Sequence, residues 1–373
     1  MKTKKFISVI MTVLIAISIM CDTNITADAA TTTQTVKASH LKTIFEVKDY
    51  KYDGYNSTNI GGISVGTANN RLFVIKSNSK EEISTLYYYN NIYNEAFKTG
   101  DKEPKRIVFI DGLLGHANAM AVDDDYLYVT MWQNKSGGEK SSIIQISRKA
   151  ISLLTSGSTV SKNKKTVTDS DGNKIAIYKI FEPQYTSGSA YTRSITAITR
   201  YSYNKTEGIT KFIINYSYSS DRTTLKYTIA TLQDGKFTVS TSKDDMFIVE
   251  NPNADVTMQD IFYDPSYGML IPTWAGDVTN YVLCVNIKAL KTQGKTSVLT
   301  FEPYKVLKVK KSTYSGDDLK KYEMESIAFV KRNEDKETID FRLIFSCNKA
   351  TTGDVGCDSI EEITPLSTYL TKL

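Results

Sequence analysis

Only two histidines, two tryptophans, four cysteines and seven prolines occur in 373 residues, and each scarcity removes a class of explanation. One cysteine, Cys21, falls in the leader described below, which leaves Cys284, Cys347 and Cys357. An odd count is a poor disulfide framework; a hairpin bridge from Cys347 to Cys357 and three buried thiols both remain open. For His116 no serine, cysteine or second histidine is identifiable as the partner a nucleophilic site would need. His40 stands near the mature N-terminus, where it reads as solvent-facing. Beyond the leader no stretch approaches the ~20 apolar residues of a spanning helix, which argues against transmembrane anchoring. A strong basic excess is lacking too. Without the leader, the 46 basic and 41 acidic residues become 43 and 39, a net charge of +4. That balance suits adhesion to an anionic envelope but supplies no basic patch for nucleic acid. Scarce proline beside abundant tyrosine, threonine and serine befits an extracellular all-β chain.

What is present begins with export. MKTKK is a basic start, FISVIMTVLIAISIM an apolar stretch too short to span comfortably, and Ala27-Asp28-Ala29 a small-x-small cleavage site. Together they read as a secretory signal peptide over residues 1–29. Met20 is too large for lipoprotein processing at Cys21. Residues 30–41 are expected to be a linker and 42–373 a single domain, monomeric and secreted.

That domain is a repeat. Five segments share a polar entry, a short apolar strand, a turn and a second strand: NIGGISV with RLFVIKS, HANAMAV with YLYVTMW, SITAITR with KFIINYS, TMQDIFY with GMLIPTW, and EMESIAF with FRLIFSC. A third strand follows each (STLYYYN, SIIQIS, LKYTIAT, YVLCVNI, SIEEIT). One more β-like run precedes each (TIFEV, RIVFID, IAIYKIFE, KFTVS, YKVLKV). Four antiparallel strands repeated five times, with no long amphipathic helix, predict a five-bladed β-propeller. TIFEV would supply the outer strand of the last blade and close the ring, protecting the sheet edges. A pair of β-sandwiches would not explain five similar entries. DSDGN, at 169–173, resembles part of a calcium loop but lacks the remaining ligands, so a hairpin turn is the better reading.

Aligned at their entries, the five segments give Asn59, His116, Ser194, Thr257 and Glu323 in a polar first column, and Ile60, Ala117, Ile195, Met258 and Met324 in an apolar second. The third is Gly61, Asn118, Thr196, Gln259 and Glu325; the fifth, Ile63, Met120, Ile198, Ile261 and Ile327, is apolar again. This reads as strand alternation with polar residues gathered at the strand's start. In a propeller those starts converge on one mouth of the central channel. His116, Asn118, Arg193, Gln259, Asp260, Glu323 and Glu325 are therefore the candidate ligand-binding residues; solvated channel residues held by water are the plain alternative. Glu323, Glu325 and Asp260 could supply an acid and a base for glycoside chemistry, whose course depends on their separation. A hard cation, Ca or Mg, bridging Glu325, Gln259 and Asn118 is chemically reasonable. Trp132 and Trp274 follow second strands, placed either to stack on sugars or to pack between blades.

HANAMAV at 116, MQDIFYDPSYGMLIPTW at 258, MESIAFV with FRLIFSCNK, and the opening VKDYKYDGYNSTNIGGISVGTANNRLFVIKS resemble the helveticin J-like large bacteriocins of Gram-positive bacteria. The resemblance runs in order over most of the mature chain; SITAITRYSYNKTEGITKFIINYS departs from it. It implies a propeller-like fold and antibacterial activity, and carries over no catalytic set. Three functions stand side by side: a secreted bacteriocin-like factor acting at the envelope of competing bacteria, a secreted carbohydrate-active hydrolase or lyase, and a propeller that binds glycan or protein without turnover. With no membrane-active amphipathic helix in view, killing would act through a surface receptor or wall glycan.

Overall fold

The computed structural model describes residues 31–66, 71–90, 92, 103–135, 138–186, 195–217, 222–253, 256–291, 294–335, 338–352 and 358–373. Met1–Thr31 and Thr32–Leu373 are separate units, and everything below concerns the second. Among the described residues no helix is long and apolar enough to cross a membrane.

The unit is all-β, with its sheets in a propeller-like arrangement. The first large sheet runs from Asn59–Gly66 through Arg71–Ser77 and Ser84–Tyr89 to Lys105–Phe109, each strand antiparallel to the last. The second runs from Met120–Val122 through Tyr126–Lys135 and Gly138–Ser147 to Tyr178–Phe181. In the third, Ile198–Asn204 leads through Ile209–Ser217 and Thr224–Gln233 to Lys236–Val239. The fourth starts with Thr257–Met258 and Phe262–Asp264, both paired with Gly268–Trp274, and continues to Thr279–Val285 and Pro303–Lys310. The fifth contains Asp317–Asp335, Thr338–Thr351 and Ser359–Ile363, and its outer strand is Leu41–Glu46 from the other end of the chain. Within the stretch expected as a linker, Thr32–Thr35 adds in parallel to Pro303–Lys310. His40, expected to face solvent, is half-buried, with Nδ1 2.7 Å from the Tyr369 hydroxyl. The DSDGN segment is a hairpin turn between Thr166–Thr168 and Lys174–Ala176, in which Asp169 accepts from the Asp171 and Asn173 backbone amides.

The strand sequences are near-continuous apolar runs because both faces of each sheet are covered. Successive residues send their side chains to opposite faces, and here to different cores. Val74 packs between the first and fifth sheets, while Phe73 and Ile75 pack towards the second. Ile344 joins the former core, while Leu343 and Phe345 meet the fourth sheet. Tyr128, Phe212 and Ile214 fill the space between the second and third sheets, and Ile213, Met269 and Ile271 that between the third and fourth. Each large apolar side chain buried this way contributes about 1.5–3 kcal/mol relative to exposure.

One feature of the inner strands departs from simple alternation. The apolar second and fifth columns are three residues apart, which a two-residue period cannot place on one face, and each inner ladder is interrupted between them. The register slips between Ile60 and Ile63 in the first sheet and between Met324 and Ser326 in the fifth. In the fourth the strand breaks between Met258 and Phe262, and in the second and third it starts only at Met120 and Ile198. The interruption brings the fourth column together: Gly62, Ala119, Ala197, Asp260 and Ser326, all small except Asp260. A Cβ on Gly62 would lie 2.9 Å from the Ala119 carbonyl carbon, and one on Gly61 2.6 Å from the Ala117 oxygen. Glycine is required here by close approach of backbone to backbone.

Candidate functional site

The interrupted stretch also carries the polar groups. Glu325 is the extra residue of the bulge between Met324 and Ser326, and bulges re-aim side chains out of the regular pleat. Its carboxyl is hydrogen-bonded to that of Glu323, and Asn348 donates from Nδ2 to Glu325 Oε1 at 3.5 Å. Gln259, arriving from the fourth sheet, donates from Nε2 to Glu323 Oε1 at 2.6 Å. Lys321 forms an ion pair with Glu323 Oε2 and places its ammonium 5.2 Å from the centre of the Trp274 ring. The Trp274 indole N–H is in turn fixed on the Asp277 carbonyl at 2.8 Å.

Burial, and after it the neighbouring Glu323 charge, pushes the Glu325 carboxyl well above the usual carboxylate range. Two carboxyls in mutual contact cannot both ionise and titrate as a pair. Lys321 pairs with Glu323 and, as a nearby cation, partly offsets the rise at Glu325.

Asp260 lies one step deeper, 1% exposed. Its Oδ2 accepts from the Ser326 hydroxyl, and Ser326 Oγ in turn accepts from the Ile63 amide at 3.1 Å, joining the fourth, fifth and first sheets. Burial raises the Asp260 carboxyl well above its ordinary value, against the hydrogen bonds from Ser326 and the Ile261 and Ile198 amides. Its Oδ1 is buried and has no hydrogen-bond partner among the described residues.

Of the residues singled out from the sequence, Gln259, Glu323 and Glu325 share direct contacts, and Asp260 is anchored beside them through Ser326. His116 is engaged elsewhere: Nδ1 is 2.9 Å from Glu81 Oε1, and its ring meets Trp132 edge-on at 6.2 Å. Asn118 is half-buried, with Oδ1 unpartnered among the described residues. Arg193 lies outside the described residues. Lys321, Asn348 and Glu81 were not legible as site residues. Lys321 and Asn348 fall outside the aligned entries, and Glu81 sits in a turn with φ +58°.

A hard cation is poorly matched to this arrangement. Lys321 already supplies the positive charge at Glu323, and Gln259 presents its N–H₂ rather than its oxygen to Glu323, whereas a hard cation needs oxygen ligands. Among the described residues no three His, Cys, Asp or Glu side chains converge as a metal would require. Cys284 and Cys347 are free thiols within the core; burial raises Cys284 to about 12 and Cys347 well above its ordinary value. Cys357 lies outside the described residues.

The chain matches no protein-family model and no curated protein. Among solved structures it is similar to the tail fibre of Staphylococcus aureus phage P68, at 10% identity and a TM-score of 0.49, over 89% of this chain and 54% of that one. It is similar also to a Bombyx mori GH32 β-fructofuranosidase, at 8% identity and a TM-score of 0.37, over 90% and 66% of the two chains. A third likeness is to a GH43 β-1,3-galactosidase, at 10% identity and a TM-score of 0.27, over 68% and 57%. The chain thus spans about half the length of the tail fibre. Likeness at this level assigns no activity.

Proposed function

We propose that the protein is a secreted five-bladed propeller, closed by Leu41–Glu46, that holds a bacterial surface glycan at its polar channel mouth without hydrolysing it. The observation that carries this reading is the Glu323–Glu325 contact. Paired carboxylates of glycosidases stand about 5–5.5 Å apart in retaining enzymes and about 6.5–9.5 Å apart in inverting ones, leaving room for the sugar or for water. A shared hydrogen bond closes that room. Asp260 is almost wholly buried and held by the Ser326 hydroxyl, out of reach of a substrate. What remains is a set of fixed donors and acceptors on Gln259, Glu323, Glu325 and Asn348 beside the Trp274 ring, a combination suited to hydroxyl and amide groups. An antibacterial role, as the helveticin J-like resemblance implies, would use this mouth to recognise the envelope of a competing cell.

Hydrolysis is the second reading, favoured by one feature: burial raises the Glu325 carboxyl above the usual carboxylate range, as suits a general acid. Isolated Gram-positive cell walls distinguish the two. For binding, the mature protein sediments with the walls and releases no reducing ends, and Glu323→Ala weakens sedimentation at least tenfold. Reducing ends released by the wild type and abolished in Glu325→Gln would replace the binding reading with the hydrolytic one. Viability of the same strains under the mature protein tests the antibacterial role separately.

A further inference from the structure

The opposite ends of the five inner strands also converge, and they build something different. Ser64–Gly66, Met120–Val122, Thr199–Tyr203, Phe262–Pro265 and Phe329 surround a cavity of about 630 Å³. An adjoining cleft of about 500 Å³ runs outward between the second and third sheets, and the two share Asp124, Arg200 and Tyr203. Their sizes lie within the ~300–1,000 Å³ range of ligand sites, and together they form an elongated groove rather than a single pocket.

We propose that this groove is a second binding site, for a neutral oligosaccharide chain. It is independent of the channel-mouth reading, because none of its residues belongs to that mouth. Five tyrosines line it, Tyr201, Tyr203 and Tyr263 around the cavity and Tyr126 and Tyr128 along the cleft. Tyr201 and Tyr263 lie 5.1 Å apart with their rings tilted by 48°, and Tyr203 is 53% exposed, an unusual position for a large aromatic beside a concavity. Aromatic faces of this kind receive the C–H face of a sugar ring, while the phenol hydroxyls stay available to its polar edge. No hydrogen bond is made by the Tyr201, Tyr203 or Tyr263 hydroxyls or by the Arg200 guanidinium among the described residues. These groups converge on the space with their bonding capacity unspent.

The charge pattern selects the ligand. Arg200, Lys179 and Lys205 are interspersed with Asp123, Asp124, Asp125 and Asp234 along the cleft. A polyanion or polycation would meet like charge somewhere along it, whereas a neutral sugar offers hydroxyls that both donate and accept. The length of the paired cavities favours a chain of several sugars over a monosaccharide.

Titration of the full mature protein with chitohexaose and with a six-residue β-glucan, followed by calorimetry and hydrogen exchange, tests this. Binding of at least one chain is expected, with slowed exchange at residues 199–203 and 262–265. Tyr203→Ala is expected to weaken it tenfold or more and Arg200→Gln at least threefold. Both side chains lack partners among the described residues, so the unfolding midpoint should hold. Wild-type affinity in both variants, protection confined to 323–326, or no binding of either chain would overturn the proposal.

Discussion

The fifth sheet carries two groups of carboxylates and treats them in opposite ways. On its third strand, Ser359–Ile363, Glu361 is fully buried, yet Lys349 reaches Oε1 at 3.1 Å and Lys311 reaches Oε2 at 3.0 Å, and the Ser359 hydroxyl adds a bond at 2.8 Å. Burial alone would raise that carboxyl; the two ammonium groups and the hydroxyl overcome it and hold Glu361 below the ordinary range. Lys349 is itself steadied over the Tyr314 ring at 3.5 Å. At the inner strand Glu325 has no cation of its own and faces a second carboxyl, and burial and that neighbour raise it. A carboxylate with matched cations on both oxygens is a structural clamp. One left with a like neighbour gains no such support, the pattern expected of the binding position proposed above.

The comparison breaks most visibly at the clamp. Lys349→Met leaves Glu361 with one cation, and removing one partner of a buried ion pair costs about 3–5 kcal/mol; urea unfolding at neutral pH should show a loss of that order. The wild-type pH profile is the next test. Glu361, with its folded pKa depressed, contributes stability that is full above the ordinary carboxylate pKa of ~4.3 and lost as pH falls through its folded value. Glu325 and Asp260 are raised, so their contribution is full below that pKa and lost as pH rises through their folded values. Stability should therefore climb on moving down from neutral and collapse at strongly acid pH, with its maximum on the acid side of neutral.

Smaller effects sharpen the same contrast. Glu325→Gln keeps a donor toward Glu323 and removes a titrating proton, so its unfolding free energy should stay within about 1 kcal/mol of wild type. Its pH profile should be flatter between mildly acid and neutral conditions. Asp260→Asn should behave likewise with a smaller change, because burial already disfavours the charged form of Asp260 and an amide oxygen can still accept from Ser326. A loss of several kcal/mol in either variant would mean that the inner carboxyls are clamps too.

Much of the strand pattern was visible in the chain beforehand. Each of the four strand positions in each sheet falls on a run picked out by its apolar pattern, including the outer ones, because strands covered on both faces are continuous in character. The polar entries were visible for the same reason: Gln259, Glu323 and Glu325 interrupt apolar runs at matching places. The interruption itself was misread as alternation, although Met324 and Ile327, like Ile60 and Ile63, stand three apart and so announce a bulge. Pairings across sheets were not legible. Nothing in the neighbourhood of His116 points to Glu81, and nothing around Glu323 selects Lys321 over the chain's many other lysines, because such contacts are made by the closing of sheet upon sheet. The groove at the opposite mouth was missed because Tyr201, Tyr203 and Tyr263 sit in strand positions that look like ordinary β-sheet tyrosines.

Infrared spectroscopy of the folded protein at neutral pH tests the central claim most directly, since it sees a protonated carboxyl without perturbing it. The expected result is a carboxylic-acid carbonyl band in the wild type that loses intensity in Glu325→Gln and keeps it in Glu361→Gln. A band that is absent, or unchanged in Glu325→Gln, would show both carboxylates of the pair ionised and would contradict the account of the mouth as a proton-sharing binding site.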